Sequence, residues 1–497
     1  MLVEFNTNCQ SHVSYAYLSN GLASLFSANQ AAFVASKTKM RLLPRWADRL
    51  VRQLLWVVQD DARTYRSFGC RDFFYPAVSL AQKKIARVAV RQFLARKPSK
   101  KDLENLKIGD VLLGDLVYDN YLRSRNLPTP DLSSADFKNF LLSSVADLVF
   151  WTDQMSKGQI KAVIASHSVY NLAIPLRVAL QQGIPAFQAT ARSIYRLSSE
   201  RQFAEDGFID FRNEYSSLSM VARTRGLEEA RSRIARRFRG ESGVDVNVSS
   251  ALAYSPPKKN LLLSGNSKIK LLVAAHCFSD SPHWSGNHLF TDYWEWLDFL
   301  GDFAKKTDFE WYLKPHPDCL SSNAKHLRML AQRYPAFVVL PADASHLQII
   351  KEGVTAALTV HGTIGFEYAA LGVPVINASL NNPHIAYSFN HHPASVKEYE
   401  QAILNVSSLP APGQDELREV EEFYFMQHIY RDRNLFFDDF DLISHELDGS
   451  QGPKNPQMYY SAFLKNRDAL KHQNLVDQVQ LYVSSETRKL ESTPYRR

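Results

Sequence analysis

The chain is short of the features that would place it in several large classes. Its 497 residues contain four cysteines, Cys9, Cys70, Cys277 and Cys319, with no CxxC pair among them. Neither a disulfide framework nor a zinc site is indicated, and the four read as ordinary thiols. No apolar run approaches the ~20 residues that span a bilayer, and the opening MLVEFNTNCQ lacks the basic start and long apolar core of a secretory signal. A cytoplasmic location is therefore expected. No G-x-G-x-x-G follows a strand, no Walker A lysine loop is present and no G-x-S-x-G elbow occurs, so dehydrogenase, ATPase and serine-hydrolase chemistry lack support. Asp439 and Asp441 match the short DxD pattern of metal-dependent transferases. That tripeptide is common by chance and here sits in a charged helical region, so no metal ligand is assigned. No internal repeat is found.

What is present is the composition of a soluble globular protein, 45% hydrophobic and 22% charged. The length points to two domains with an interface between them. The net charge of +7 is unevenly spread: from Val221 to Gly240 the chain has seven arginines against two glutamates, in a pattern compatible with a helix. No nucleic-acid recognition motif accompanies it, and no nucleic-acid partner is expected. A cytoplasmic membrane surface, a phosphate-bearing lipid or plain solvent all suit such a face.

Short apolar strands alternate with helical segments through most of the chain, which predicts α/β layers. MLVEF opens a first strand, SYAYLSNGLASLF follows as a helix and AAFVAS as a second strand. Between Lys37 and Lys107 the pattern is helical and basic, with apolar residues at helical spacing from Trp46 to Gln59. IKAVIASHSVYNLAIPLRVALQQGIPAFQA is a strand ending at His167, a helix to Leu180, a stop at Gly183 and another strand. Turn-rich sequence at Tyr254–Asn260 suggests a boundary. The predicted organisation is residues 1–255, residues 256–410 and a helical segment with a frayed tail over 411–497. In the second part KIKLLVAAHC, FEWYLKPHPD, AFVVLPAD, VTAALTV and VPVINA read as five strands of one sheet. Two such Rossmann-like halves facing each other would leave a central crevice at the carboxyl ends of their strands, where ligands bind.

Two constellations fall at strand ends in the second half. HGTIGFEYAALGVPVI, His361 to Ile376, reads as a strand exit, a glycine turn and a helix that Gly372 stops. The turn leaves free N–H groups beside the positive end of the helix, a seat for a phosphate at His361, Gly362 and Thr363. Glu367 lies one turn further on the same face, placed to reach a ribose hydroxyl or only to complement the helix dipole. In YLKPHPD, Pro315 and Pro317 end a strand and hold His316 at its tip, flanked by Lys314 and Asp318, where the imidazole can donate to a phosphate oxygen. His276 and Asp280, closing the first strand of this half, are further donor-site candidates.

KPHP followed by HGTIGFEYAALGVPVI resembles the C-terminal half of bacterial capsule and surface-polysaccharide glycosyltransferases of GT-B architecture, particularly the Kdo transferases of capsule assembly. The same elements are similar to the nucleotide site of bacterial sialyltransferases and CDP-glycerol polymerases. Gly114 to Asp131 and ASHSVYNLAIPLRVALQQGIPAF also look like segments of capsule-synthesis proteins. The resemblance covers about residues 108–200 and 268–380, and matches His316, Pro317, Gly362, Thr363 and Glu367. It implies a metal-independent transferase with no cofactor beyond a nucleotide-sugar co-substrate, CMP-linked, acting on a glycan or lipid-linked glycan acceptor; a peripheral contact with the inner face of the membrane is an option that the basic stretch leaves open. Those enzymes often carry serine in the turn where this chain has His361 and Thr363.

Transfer also needs a group to take the acceptor proton, which in this architecture comes from the N-terminal half. The candidates are Asp115 and Asp119 in GDLVYD, His167, and more remotely Glu4 or His12. Gly114 is expected to turn the backbone sharply at the end of VLL so that Asp115 projects from a sheet edge; the alternative for these carboxylates is helix capping.

Overall fold

The computed structural model describes residues 1–6, 9–34, 60–74, 76–204, 206–241, 253–256, 259–286, 288–316, 321–431, 434–438, 443–444, 447 and 457–492. The chain forms two compact units. The first takes residues 1–120, 131–204 and 432–492; the second takes 121–130, 205–431 and 493–497.

The first unit is built on a seven-stranded sheet of β1 (Leu2–Glu4), β2 (Gln30–Phe33), β3 (Cys70–Phe74), β6 (Val163–Ala165), β7 (Ala186–Ala189), β8 (Ser193–Leu197) and β14 (Lys489–Glu491). Their spatial order is β14-β8-β7-β6-β1-β2-β3. β4 (Lys107–Ile108) and β5 (Val111–Leu112) form a separate hairpin. From β7 to β3 all neighbours are parallel; β8 turns back antiparallel, and β14 pairs antiparallel with it. The helix His12–Phe26 buries Val13, Leu18 and Leu22 in a core shared with Leu475, Val479 and Tyr482 of the helix Ala469–Ser484.

The second unit carries a wholly parallel sheet of β9 (Lys270–Ala274), β10 (Glu310–Lys314), β11 (Phe337–Val339), β12 (Ala356–Thr359) and β13 (Val375–Asn377), ordered β11-β10-β9-β12-β13. These are the five strands that the sequence predicts. Their near-continuous apolar runs follow from burial on both faces. In β9, Leu271 and Val273 enter one hydrophobic cluster with Trp296 and Trp311, while Leu272 between them enters another with Tyr312 and Tyr368.

Both sheets start in the centre, run outward to one edge, and then return to the other side of their first strand. The reversals fall between β1 and β6 and between β9 and β12. Such switch points open a crevice above the carboxyl ends of the strands because the connections leave in opposite directions.

Several expectations change. The units divide at residues 204–205 rather than near 255, because the arginine-rich stretch becomes the helix Met220–Phe238 whose Ala230 and Ile234 pack with Phe366, Tyr424 and Phe425 of the second unit. Residues 411–497 are not one segment, since 432–492 return to the first unit. The stretch read as a frayed tail supplies β14, which borrows its order from the β8 edge. Cys277 is disulfide-bonded, whereas Cys70 is a free buried thiol. The helix expected over residues 46–59, the Asp439–Asp441 pair and Pro317–Asp318 lie outside the described residues. Among the described residues, no helix is long and apolar enough to cross a membrane.

Candidate functional site

A cavity of about 360 Å³ opens at the switch point of the second unit. Its lining includes His276, Lys314, Pro315, His316, Thr359, His361, Gly362, Thr363 and Glu367. Strand ends bring these groups together. β9 delivers Ala275 and His276, β10 ends on Lys314 and passes through Pro315 to an exposed His316, and β12 ends on Thr359 ahead of the glycine turn.

His276 ties the two central strands together: its Nε2 accepts from the backbone N–H of Val360 at 3.2 Å, which leaves the ring proton on Nδ1. Removal from water, aided by the nearby His316 and His288, lowers its pKa to about 3. His361 lines the cavity with its ring tied to two aromatic neighbours. Its Nε2 accepts from Trp284 Nε1 at 3.1 Å and lies 2.6 Å from the Tyr293 hydroxyl. Burial, then the neighbouring histidines, hold it neutral. Gly362 has φ +113°, a conformation open to glycine at little cost, and Thr363 behind it is exposed with no capping bond from its side chain. Gly365 is needed for a different reason, since a Cβ there would lie 2.3 Å from the His384 ring.

The cavity's inner end is charged. Lys314 is only 3% exposed, donates to the Ala342 carbonyl at 3.0 Å, and burial lowers its pKa to about 8. Glu367 is buried too. Rather than standing open for a ribose, its Oε1 accepts from Arg237 Nε at 2.8 Å, and the Arg237 guanidinium lies over the Phe366 ring. Burial works against the Arg237 charge, but Glu367 holds its pKa above the ordinary arginine value. Tyr254 and His346 complete this end, His346 with Nδ1 2.8 Å from the Tyr368 hydroxyl. Tyr254 and His346 are not singled out by the sequence, and Arg237 is read there only as part of the basic stretch with Arg231, Arg233 and Arg236, a contact open to an anionic surface. A signal for Arg237 did exist: Gly226, Ala230, Ile234 and Arg237 form the buried stripe of their helix, and an arginine on such a stripe needs a buried anion. The outer arginines are spent on local pairs, Arg231 with Glu421 at 2.7 Å and both Arg236 and Arg239 with Glu241.

Asp280 is not part of the cavity lining; it is exposed and pairs with Arg123 at 3.2 Å. Among the described residues, no cluster of three or more His, Cys, Asp or Glu side chains is placed to hold a metal ion.

In the first unit the expectation for Asp115 is corrected. It sits in the first turn of the helix Gly114–Arg125, buried, with Oδ2 accepting from Arg177 Nη2 at 2.7 Å. Gly114 serves a close approach rather than a projecting turn, since a Cβ there would come within 1.7 Å of the Leu103 carbonyl oxygen. Asp119, one turn on, is buried as well. His12 is buried and its pKa falls to about 4 through loss of hydration. His167 is exposed just beyond β6, and Glu4 ends β1 beside it, so both stand at this sheet's switch point.

No family model matches the chain, and no curated protein matches it. Solved structures similar to it include the UDP-GlcNAc 2-epimerase of Neisseria meningitidis bound to UDP-GlcNAc, at 10% identity over 86% of this chain and 96% of that one, TM-score 0.22. The MnaA–UDP co-structure of S. aureus shares 10% identity over 94% and 97% of the two chains, TM-score 0.25. The wall teichoic acid polymerase TagF, as its H548A variant, shares 9% over 96% and 89%, TM-score 0.22. At such TM-scores the class rests on the strands themselves: two Rossmann-like α/β units, each with a switch point at the carboxyl end of its sheet.

Proposed function

We propose that the chain is a metal-independent glycosyltransferase of GT-B type. It takes a sugar from a nucleotide donor, CMP-linked and carrying Kdo or a related acid sugar, and passes it to a surface polysaccharide or lipid-linked acceptor. The observation that carries this reading is the switch-point cavity of the second unit. There a buried ammonium, an exposed imidazole and a threonine hydroxyl line one space, from Lys314, His316 and Thr363. Groups of this kind suit a nucleotide phosphate, and their donors would stabilise the charge that develops on the leaving nucleotide. The motif resemblance supports the CMP donor.

A melting-temperature screen with CMP, CDP, UDP and GDP tests the reading, because a ligand bound only by the folded state raises the melting point. CMP or CDP should give the largest shift; no shift with any of the four would remove the proposal. Nothing in the cavity distinguishes transfer from 2-epimerisation of a nucleotide sugar, the nearest rival. Products separate the two: transfer requires an added acceptor, whereas epimerisation proceeds without one. Nucleotide binding with neither reaction would leave a polysaccharide-assembly protein without catalysis.

A further inference from the structure

At the switch point of the first unit, β1 and β6 end side by side, Val3 opposite Ile164. Glu4 closes β1 and is 1% exposed, yet four donors converge on its Oε2: Ser166 N at 2.7 Å, Ser166 Oγ at 2.8 Å, Tyr15 OH at 2.9 Å and Asn6 Nδ2 at 3.0 Å. Asn6 Nδ2 also lies 2.8 Å from the Tyr15 oxygen. The loop behind Glu4 is fixed as well, with Tyr65 OH donating to the Glu4 carbonyl at 2.7 Å and Asn6 N donating to the Tyr65 oxygen at 3.2 Å. The carboxyl oxygen is therefore a rigid acceptor.

Ser166 Oγ stands between that acceptor and His167, with His167 Nδ1 at 2.7 Å. A hydroxyl has one proton. Ser166 gives its proton to Glu4, so it can only accept from His167, and the imidazole must carry its proton on Nδ1. The Nε2 lone pair is then left for a ligand, on a ring that is exposed at the carboxyl edge of the sheet. A second observation marks the same loop. Tyr170 holds φ 59° and ψ −175°, a region nearly confined to glycine that costs a non-glycine residue about 1–3 kcal/mol and clusters at functional sites.

We infer that Glu4 and Ser166 are positioning residues that lock the His167 tautomer, and that His167 Nε2 is the proton acceptor for the hydroxyl of a sugar bound at this edge. The inference rests on the glycosyl-transfer reading. In the step, the acceptor O–H bond breaks and its proton goes to Nε2. The oxygen uses the freed pair to bond the donor sugar carbon, and the nucleotide phosphate leaves with the electrons of the broken glycosidic bond. The Nδ1–H stays in place, and the charge gained by the ring is opposed by Glu4 through the serine.

The test is a long-range proton–nitrogen NMR correlation on full-length, histidine-labelled protein, with His167 identified by its absence in His167→Gln. The expected result is an Nδ1–H tautomer in the parent and in Ser166→Thr, with a shift towards Nε2–H in Ser166→Ala. Turnover should fall by about 10²-fold or more in His167→Gln with nucleotide affinity retained. An Nε2–H tautomer in the parent, or an unchanged tautomer in Ser166→Ala, overturns the lock. Undiminished turnover in His167→Gln overturns the proton-acceptor role. Absence of nucleotide binding by the parent would instead remove the glycosyl-transfer reading, on which that role depends, while the tautomer measurement still decides the lock.

Discussion

The side chains of the second cavity make separable contributions. His316 is exposed, and Thr363 is exposed with no capping bond from its side chain, so neither substitution opens a cavity in the core. His316→Ala and Thr363→Val should each weaken nucleotide binding by about 1.5–3 kcal/mol, the range for a hydrogen bond to a charged group, with melting temperatures of the free protein unchanged. Calorimetric affinities equal to the parent in both variants would refute the phosphate assignment. Lys314 adds a pH dependence. Burial lowers its pKa to about 8, so the free protein carries the charge below that pH and loses it above. An anion favours the charged form. Affinity should therefore fall as pH rises through about 8, by up to about tenfold per unit, and Lys314→Met should bind more weakly with a flatter profile. Buffers of differing ionisation heat would report the proton taken up. Arg237 and Glu367 act as a pair. Glu367→Gln alone leaves a buried guanidinium short of its counter-charge and should destabilise the protein by about 3–5 kcal/mol in urea, whereas Arg237→Met with Glu367→Gln together should recover part of that loss.

His316, Gly362 and Thr363 were legible in the sequence because proline and glycine punctuate strand ends locally. Arg237 was not, since its partner is 130 residues away. Asp115 misled for a related reason: GDLVYD suits a strand exit or a helix start equally, and only the approach of Leu103 to Gly114 decides between them.

Among elements, the parallel strands of the second sheet were readable because burial on both faces leaves apolar runs bounded by turn residues. β3 and β14 were not: adjacent charged residues, Arg71 and Asp72, interrupt the apolar run in β3 and are exposed, and β14 is KLE. Pairing with a distant strand makes each of them. The second unit has another property, a set of histidines kept neutral. Burial lowers His276 to about 3 and His392 to about 4, and holds His346, His361 and His384 well below the ordinary value. The unfolded chain protonates these rings below about pH 6.5 while the folded unit does not. The stabilisation is therefore complete above that pH and is lost as pH falls towards the folded values. Each ring should contribute about 1.4 kcal/mol per pH unit to the slope. Urea midpoints followed from pH 6.5 to 5 should drop steeply, and His384→Asn should reduce the slope by about one proton; a flat profile in the parent would contradict the burial of these rings.

Across the whole molecule, the division into units predicts how they fail. Residues 432–492 supply Phe436, Phe437, Tyr459, Leu475, Val479 and Tyr482 to the first unit's core. At about 1.5–3 kcal/mol for each large apolar side chain, their removal takes away about 9–18 kcal/mol, comparable to the whole stability of a domain. A chain cut after Arg431 should lose the first unit's cooperative unfolding transition and its amide protection while keeping the nucleotide-dependent melting shift of the second. Loss of that shift as well would show that the units do not fold independently.

The antiparallel pairing of β14 with β8 has a consequence for biosynthesis. Arg196 of β8 bonds the Val483 carbonyl 287 residues further along the chain. At about 5–20 residues per second, the ribosome needs about 15–60 s to make that stretch. For that interval β8 is an outer strand with unmet backbone donors and acceptors, open to pairing with another nascent copy. The sheet of the second unit, which runs from Lys270 to Asn377, is complete before that of the first one closes. The last strand made is thus the cover on an adhesive edge, and slow or truncated translation should send this protein into aggregates through its earlier-made half.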